Sequence, residues 1–226
     1  MKVAIKRISS DPLGLLGLCL VTLMVVSALG ASIFAPYDPI QLNIMDRLQG
    51  PSANHLLGTD QLGRDLFSRV LFGGQVALKV AFLTIGLALI VGIVLGLIAG
   101  YGPAWLDNSI MLLFDTIRSV PTIMLALAAV AVVGPSITTV IFVIAVSSIP
   151  NYGRIVRTQT LTIKSKDFVN AERLMGASLL RILSIHLLPN ILGPLLILAS
   201  MDIPTIIALE AGLSFLGMGV KPPTPS

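Results

Sequence analysis

Five apolar runs, each close to the length that crosses a bilayer, dominate this chain and leave little room for any other architecture. A hydrocarbon core of about 30 Å requires roughly 20 such residues at about 1.5 Å rise apiece. The runs are 13–33, 76–99, 110–133, 137–157 and 190–209, and they predict an all-α, polytopic helical bundle in the membrane. Only 12% of the 226 residues are charged, against about 25% in a soluble domain, and the mean hydropathy is +0.94. Lys79 stands near the start of the second run, and Asp115, Arg118 and Pro121 stand in the third. Pro150-Asn151-Tyr152-Gly153 in the fourth run, and Pro194 and Pro204 in the fifth, predict kinks in those two. A signal peptide is the other reading of the first run, with Ala28-Leu29-Gly30 as its cleavage site. The run exceeds the usual h-region of about 7–15 residues, which favours a span.

The chemistry on offer is narrow. A single cysteine, Cys19, excludes an intramolecular disulfide and a cysteine zinc cage, and His55 and His186 lie far apart. No metal site, bound cofactor or catalytic residue is therefore expected. No Gly-x-x-x-x-Gly-Lys-Ser/Thr loop is present to cradle ATP. In so apolar a chain the net charge of +4 is an orientation signal rather than a mark of nucleic-acid binding. Lys2, Lys6, Arg7, Arg154, Arg157, Lys164, Lys166, Arg173 and Arg181 fall on one side, and Arg47, Arg64, Arg69 and Lys221 on the other. That bias predicts a cytoplasmic N-terminus (1–12), an external segment 34–75, a cytoplasmic loop 158–189 and an external end 210–226.

The cytoplasmic loop is the most informative stretch. Phe168, Ala171, Met175, Leu179, Ile182 and His186 recur at helical spacing and form one apolar face. Asn170, Arg173, Ser178 and Arg181 lie on the other. Asp167 suits an N-cap, and Gly176, costly inside a helix, predicts a turn between two short helices. By spacing alone, a helix lying on the headgroups fits equally well.

Asn170-Ala171-Glu172-Arg173-Leu174-Met175-Gly176-Ala177-Ser178, followed by His186-Leu187-Leu188-Pro189-Asn190, resembles the EAA loop of bacterial ABC importer permeases. Asn170 stands where that family usually has Glu, and Glu172 where it has the second Ala. Ala35-Pro36-Tyr37-Asp38-Pro39, Leu57-Gly58-Thr59-Asp60-Gln61-Leu62-Gly63-Arg64-Asp65 and the Glu210–Val220 stretch with Pro222-Pro223-Thr224-Pro225-Ser226 resemble the second permease subunit of dipeptide, oligopeptide and nickel importers. The resemblance implies one ABC permease domain in a bacterial inner membrane, in a family that has a sixth span after the Pro-Pro-Thr-Pro-Ser segment. It implies a subunit that is no enzyme by itself, working with a second permease, two ATPase subunits that hold ATP and Mg, and an external solute-binding protein. It also implies that segment 165–189 is the ATPase-coupling element, carried by Phe168, Asn170, Ala171, Glu172, Arg173, Met175, Gly176, Leu179, Ile182, Leu188 and Pro189. The alternative is an ion-coupled carrier or channel, in which Asp115 and Asp202 would bind the ion.

Other residues carry narrower expectations. Gly92, Gly96 and Gly100 repeat every four residues and predict close helix packing. Asp115 and Arg118 are spaced to pair with each other on one helix or to snorkel at the cytoplasmic boundary, a place on the cargo pathway being the other reading. Asp202 lies deep in its run without a partner at helical spacing, so it either lines a pathway or bonds another helix. Glu210 is expected to be solvated, and His55 to be an isolated imidazole. Thr59, Asp60, Gly63, Arg64 and Asp65 are expected to form a polar external patch, either folding back toward the membrane or docking the binding protein.

Overall fold

The computed structural model describes residues 11–219 and 223–225. Lys2, Lys6, Arg7 and Lys221, used above for orientation, lie outside them. The chain forms two compact units, residues 1–79 with 220–226, and residues 80–219.

In the first unit, helix α1 (Pro12–Leu29) starts at Asp11, whose carboxylate accepts a hydrogen bond from Leu13 N at 3.2 Å. An acidic N-cap followed by proline is a strong helix start. Its apolar side chains are exposed nearly all round, the pattern of a helix whose solvent is lipid. Ala28 is the exception, facing Gly74, where an added Cβ would come within 3.1 Å of the Ala28 Cβ. Run 13–33 is not one helix: Gly30 ends α1, and α2 (Ala31–Phe34) follows. Between residues 35 and 65 the chain is irregular apart from a 3-10 turn at Ile44–Asp46 and a single antiparallel bridge between Thr59 and Asp65.

Helix α3 (Leu66–Tyr101) has 36 residues and begins ten residues ahead of the apolar run. The cause is local: the carboxylate of Asp65, just before it, accepts from Ser68 N at 2.7 Å and satisfies a first-turn amide. At about 54 Å it exceeds the hydrocarbon thickness.

In the second unit α3 continues from residue 80, followed by α4 (Ala104–Ser119), α5 (Thr122–Val133), α6 (Ile137–Lys164), α7 (Asp167–Leu174), α8 (Leu179–Arg181), a π-helical stretch (Ile182–Leu187) and α9 (Leu188–Phe215). One of the runs is broken here. Run 110–133 is not one straight helix: α4 and α5 meet at 84° across Val120 and Pro121, the geometry of a broken span or a re-entrant loop. Proline lacks the N–H a helix needs and holds the residue before it extended, and Val120 stands at φ −101°, ψ 126°. By contrast, α6 runs unbroken through Pro150-Asn151-Tyr152-Gly153, and α9 through Pro194 and Pro204. The loop 158–189 is also shorter than expected: 158–164 complete α6, and from Ile182 onward the chain belongs to the last long helix.

Helix α6 is the centre of this unit. Val140, Ile144, Tyr152 and Val156 on it are buried, as are Phe114 on α4 and Ile191, Leu195, Ile206 and Leu213 on α9. The glycine stripe meets α6 in register. A Cβ on Gly92 would lie 2.7 Å from the Tyr152 Cβ, one on Gly96 2.6 Å from the Val156 Cβ, and one on Gly100 2.7 Å from the Thr160 Cβ. Matching steps of four on two helices let the backbones touch without side chains between them. Gly153 opens the other side of α6 to the Phe114 ring.

Candidate functional site

Two groups of residues stand out in the second unit: the 165–189 segment, and a polar layer at the middle of α6.

The 165–189 segment folds as a helix, a tight turn and a second helical start. Helix α7 ends where Gly176 adopts φ +83°. There Ala177 N donates to Glu172 O and Gly176 N to Arg173 O, both at 3.0 Å, the paired bonds of a Schellman ending. Ser178 caps the next turn. Pro189 withholds an N–H from the ladder, and the helix widens to π just ahead of it. Asn190 Nδ2 donates to the His186 carbonyl at 2.6 Å.

The expected single apolar face is divided. Val169 and Ile182 are buried, whereas Phe168 is 47%, Met175 77% and Leu174 89% exposed. Leu179, Asn170, Ala171 and Arg173 are exposed too. Ile182 is thus withdrawn from the surface group, and Leu174, which the spacing placed off the apolar face, joins it. Helix α7 is tied down from two sides. Glu172 Oε1 lies 2.9 Å from His186 Nε2, and the Phe168 ring packs 5.5 Å from the His186 imidazole. Arg173 Nε donates to the Tyr101 hydroxyl at 3.0 Å, its guanidinium 5.0 Å from the ring centroid, while Lys164 Nζ donates to Gly100 O at 2.7 Å. Leu188 and Pro189 begin α9.

The polar layer corrects the expected Asp115–Arg118 pair. Asp115 binds Arg154, and Arg118 Nη1 donates to Asn151 Oδ1 at 2.7 Å. An intrahelical pair contributes only a few tenths of a kcal/mol, and α6 offers better-placed partners across the helix contact. One turn further along, Arg157 grips Asp107 with both Nε and Nη2. Asp202 accepts from the Tyr152 hydroxyl at 2.7 Å, so it bonds another helix. Glu210 is not solvated: it is 3% exposed and accepts from Ser214 Oγ at 2.7 Å.

In the first unit the segment 35–65 is a knot of buried polar bonds. His55 is not isolated, since its Nδ1 lies 2.9 Å from Asp65 Oδ1 and its ring 4.8 Å from Tyr37. Thr59 Oγ1 accepts from Gln49 N at 2.9 Å. Burial pushes the Asp60 carboxyl up, but the Arg64 and Leu62 amides and the Arg64 guanidinium outweigh it and leave the carboxyl below its ordinary range. Asp65 is likewise raised by burial and held low by the Ser68 amide and the His55 imidazole. Gly58 and Gly63, at φ +79° and +72°, press against the backbone of Gln49 and Asn43. Tyr37, Asp38, Asn43, Asp46 and His55 line a small polar cavity here. Among the described residues no group of three or more His, Cys, Asp or Glu is placed to hold a metal ion.

The chain is similar to known transport proteins over nearly its full length. Residues 92–226 match the family described as binding-protein-dependent transport system inner membrane component, and residues 1–51 match the N-terminal transmembrane domain of oligopeptide transport permease C. A dipeptide transport system permease protein of Alkalihalophilus pseudofirmus is 38% identical over 98% of this chain and 73% of its own length. A di/tripeptide transport system permease protein of Pseudomonas aeruginosa is 40% identical over 92% of this chain and 71% of its own. A glutathione transport system permease protein of Pectobacterium atrosepticum is 39% identical over 91% and 68%. In fold, the chain resembles the inward-facing MetNI methionine ABC transporter with a TM-score of 0.59 at 22% identity, over 67% of this chain and 76% of that one. The alternative of an ion-coupled carrier or channel gives way to this match. The chain belongs to the binding-protein-dependent transport system inner membrane components, and is a polytopic inner-membrane permease of the peptide-type ABC importers.

Proposed function

We propose that this chain is the membrane subunit through which an ATP-driven importer moves peptides, or nickel or another small solute, into a bacterial cell. A second permease, two ATPases holding ATP and Mg, and an external binding protein complete the complex, and the N-terminus faces the cytoplasm. ATP closure reaches the spans through 165–189, and Asp115, Arg118 and Asp202 belong to the pathway region. The observation that carries this reading is the exposed apolar group Phe168, Leu174, Met175 and Leu179 on α7 and the turn after it. Such a surface beside Arg173 and Lys164, which are both engaged with α3, suits a protein groove better than water. A push on α7 then travels along α3, and also through Glu172 and His186 to α9. Relatives named for dipeptides, di/tripeptides and glutathione support a peptide cargo.

The test is cargo-stimulated ATP hydrolysis by the reconstituted complex. Gly176→Asp strains the φ +83° turn and places a charge beside the apolar group. Stimulation falls while the ATPases stay on the membrane. Normal stimulation with normal ATPase retention would show that this segment is not the lever.

A further inference from the structure

Helices α4 and α6 carry three guanidiniums, of which Arg154 meets Asp115 and Arg157 meets Asp107. Arg118 meets only a neutral amide oxygen, that of Asn151, and has no other hydrogen bond among the described residues. Asn151 lies six residues, about 9 Å, inside the end of the apolar run 137–157, and Arg118 eight residues, about 12 Å, inside the start of run 110–133. A guanidinium at such depth is tolerated against protein or water but is costly against acyl chains. Its neighbours on α4 include the exposed polar residues Asp115, Thr116 and Ser119. Three residues on, Pro121 breaks the α4–α5 pair through 84° with Ser119, Val120 and Pro121 exposed. Irregular backbone at membrane depth survives only where protein covers it or a wet cavity meets it.

We propose that Arg118 is the carboxylate-binding residue of the transport pathway, receiving the C-terminal carboxylate of a peptide. This rests on the peptide reading of the cargo given above. Asn151 occupies Nη1 and fixes the plane of the guanidinium, which leaves the remaining N–H donors to grip a carboxylate in a fork. The neighbouring cations do not compete for the ligand, because their own carboxylates already neutralise them. A peptide passing this level exchanges water for a charge-assisted pair and loses it again as the spans move.

The test uses the whole complex in proteoliposomes, with Ala–Ala and its C-terminal amide as probes. Arg118→Gln lowers Ala–Ala uptake about tenfold or more, the worth of one lost charge-assisted bond, and leaves uptake of the amide at the slow wild-type rate. Arg118→Lys, which keeps the cation without the fork, recovers part of the Ala–Ala uptake. Co-purification of the ATPases checks assembly of each variant. An equal fall for both probes, no recovery with Lys, or loss of assembly would mean that Arg118 packs against another subunit, and overturns the proposal. So does unchanged Ala–Ala uptake in Arg118→Gln, or a wild type that moves acid and amide alike, either of which leaves the peptide reading standing. A wild-type complex that moves neither probe defeats the peptide reading, and the ligand falls with it.

Discussion

Gly96 separates packing from propensity at the scale of one residue. A Cβ there would run into the Gly153 carbonyl and the Val156 side chain, whereas one on Gly193 would meet nothing within 4 Å. Gly96→Val should therefore destabilise the detergent-solubilised protein by about 1–3 kcal/mol through overpacking, and Gly193→Ala should be neutral or slightly stabilising. Thermal unfolding followed by size-exclusion recovery measures both. Tyr152 and Asp202 make a second residue-scale case. The hydroxyl–carboxylate bond at 2.7 Å predicts that Tyr152→Phe and Asp202→Ala each cost about 1 kcal/mol and that the double variant costs no more than the worse single. Additive losses would show that the two do not work as a pair. The glycine stripe was legible because steps of four define one helix face. The partner of Asp202 was not, because it lies 50 residues away on another helix.

Two elements illustrate how short polar links hold a segment whose apolar contacts are sparse. Helix α7 buries Val169 and is otherwise anchored by Glu172 to His186 and by Arg173 to Tyr101. Glu172→Ala and His186→Ala should each reduce cargo-stimulated hydrolysis about threefold to tenfold, with a non-additive double variant, as expected of directly coupled residues. Independent effects of the two would sink the link between α7 and α9. The departure at Glu172 was visible in the sequence, but its purpose was not, since the imidazole it meets is brought round by the turn at Gly176. In segment 34–65, Asp60 and Asp65 titrate below their ordinary range in the fold. The stabilisation they contribute is present above the unfolded carboxyl pKa and is lost as pH falls through the folded values. Hydrogen exchange of 34–65 should show full protection at neutral pH and progressive loss below about pH 4. Asp60→Asn should flatten that acid limb, and an unchanged limb would remove Asp60 as its cause.

For the molecule as a whole, the charge bias sets a topology that labelling can read. In a Cys19-free background, Asn54→Cys and Ser165→Cys should react with an impermeant reagent from opposite faces of the membrane, and reaction of both from outside in intact cells would reverse the orientation scheme. Helix content, the number of apolar runs and the recognisable loop were determined by the sequence alone. Bilayer thickness sets the run length, and the spacing of apolar residues sets the helical period, both of which are local properties of the chain. Only the tertiary structure decided where the breaks fall and which polar groups meet. Proline broke the helix at Pro121 but not at Pro150, although both follow apolar residues in spanning runs. Pro150 lies on the central helix, where burial on several sides holds the helix together, whereas Val120 and Pro121 are exposed. Asp115, Arg118 and Asp202 find partners 39, 33 and 50 residues distant. A charge at membrane depth must be compensated, and that requirement says that a partner exists without saying which helix supplies it.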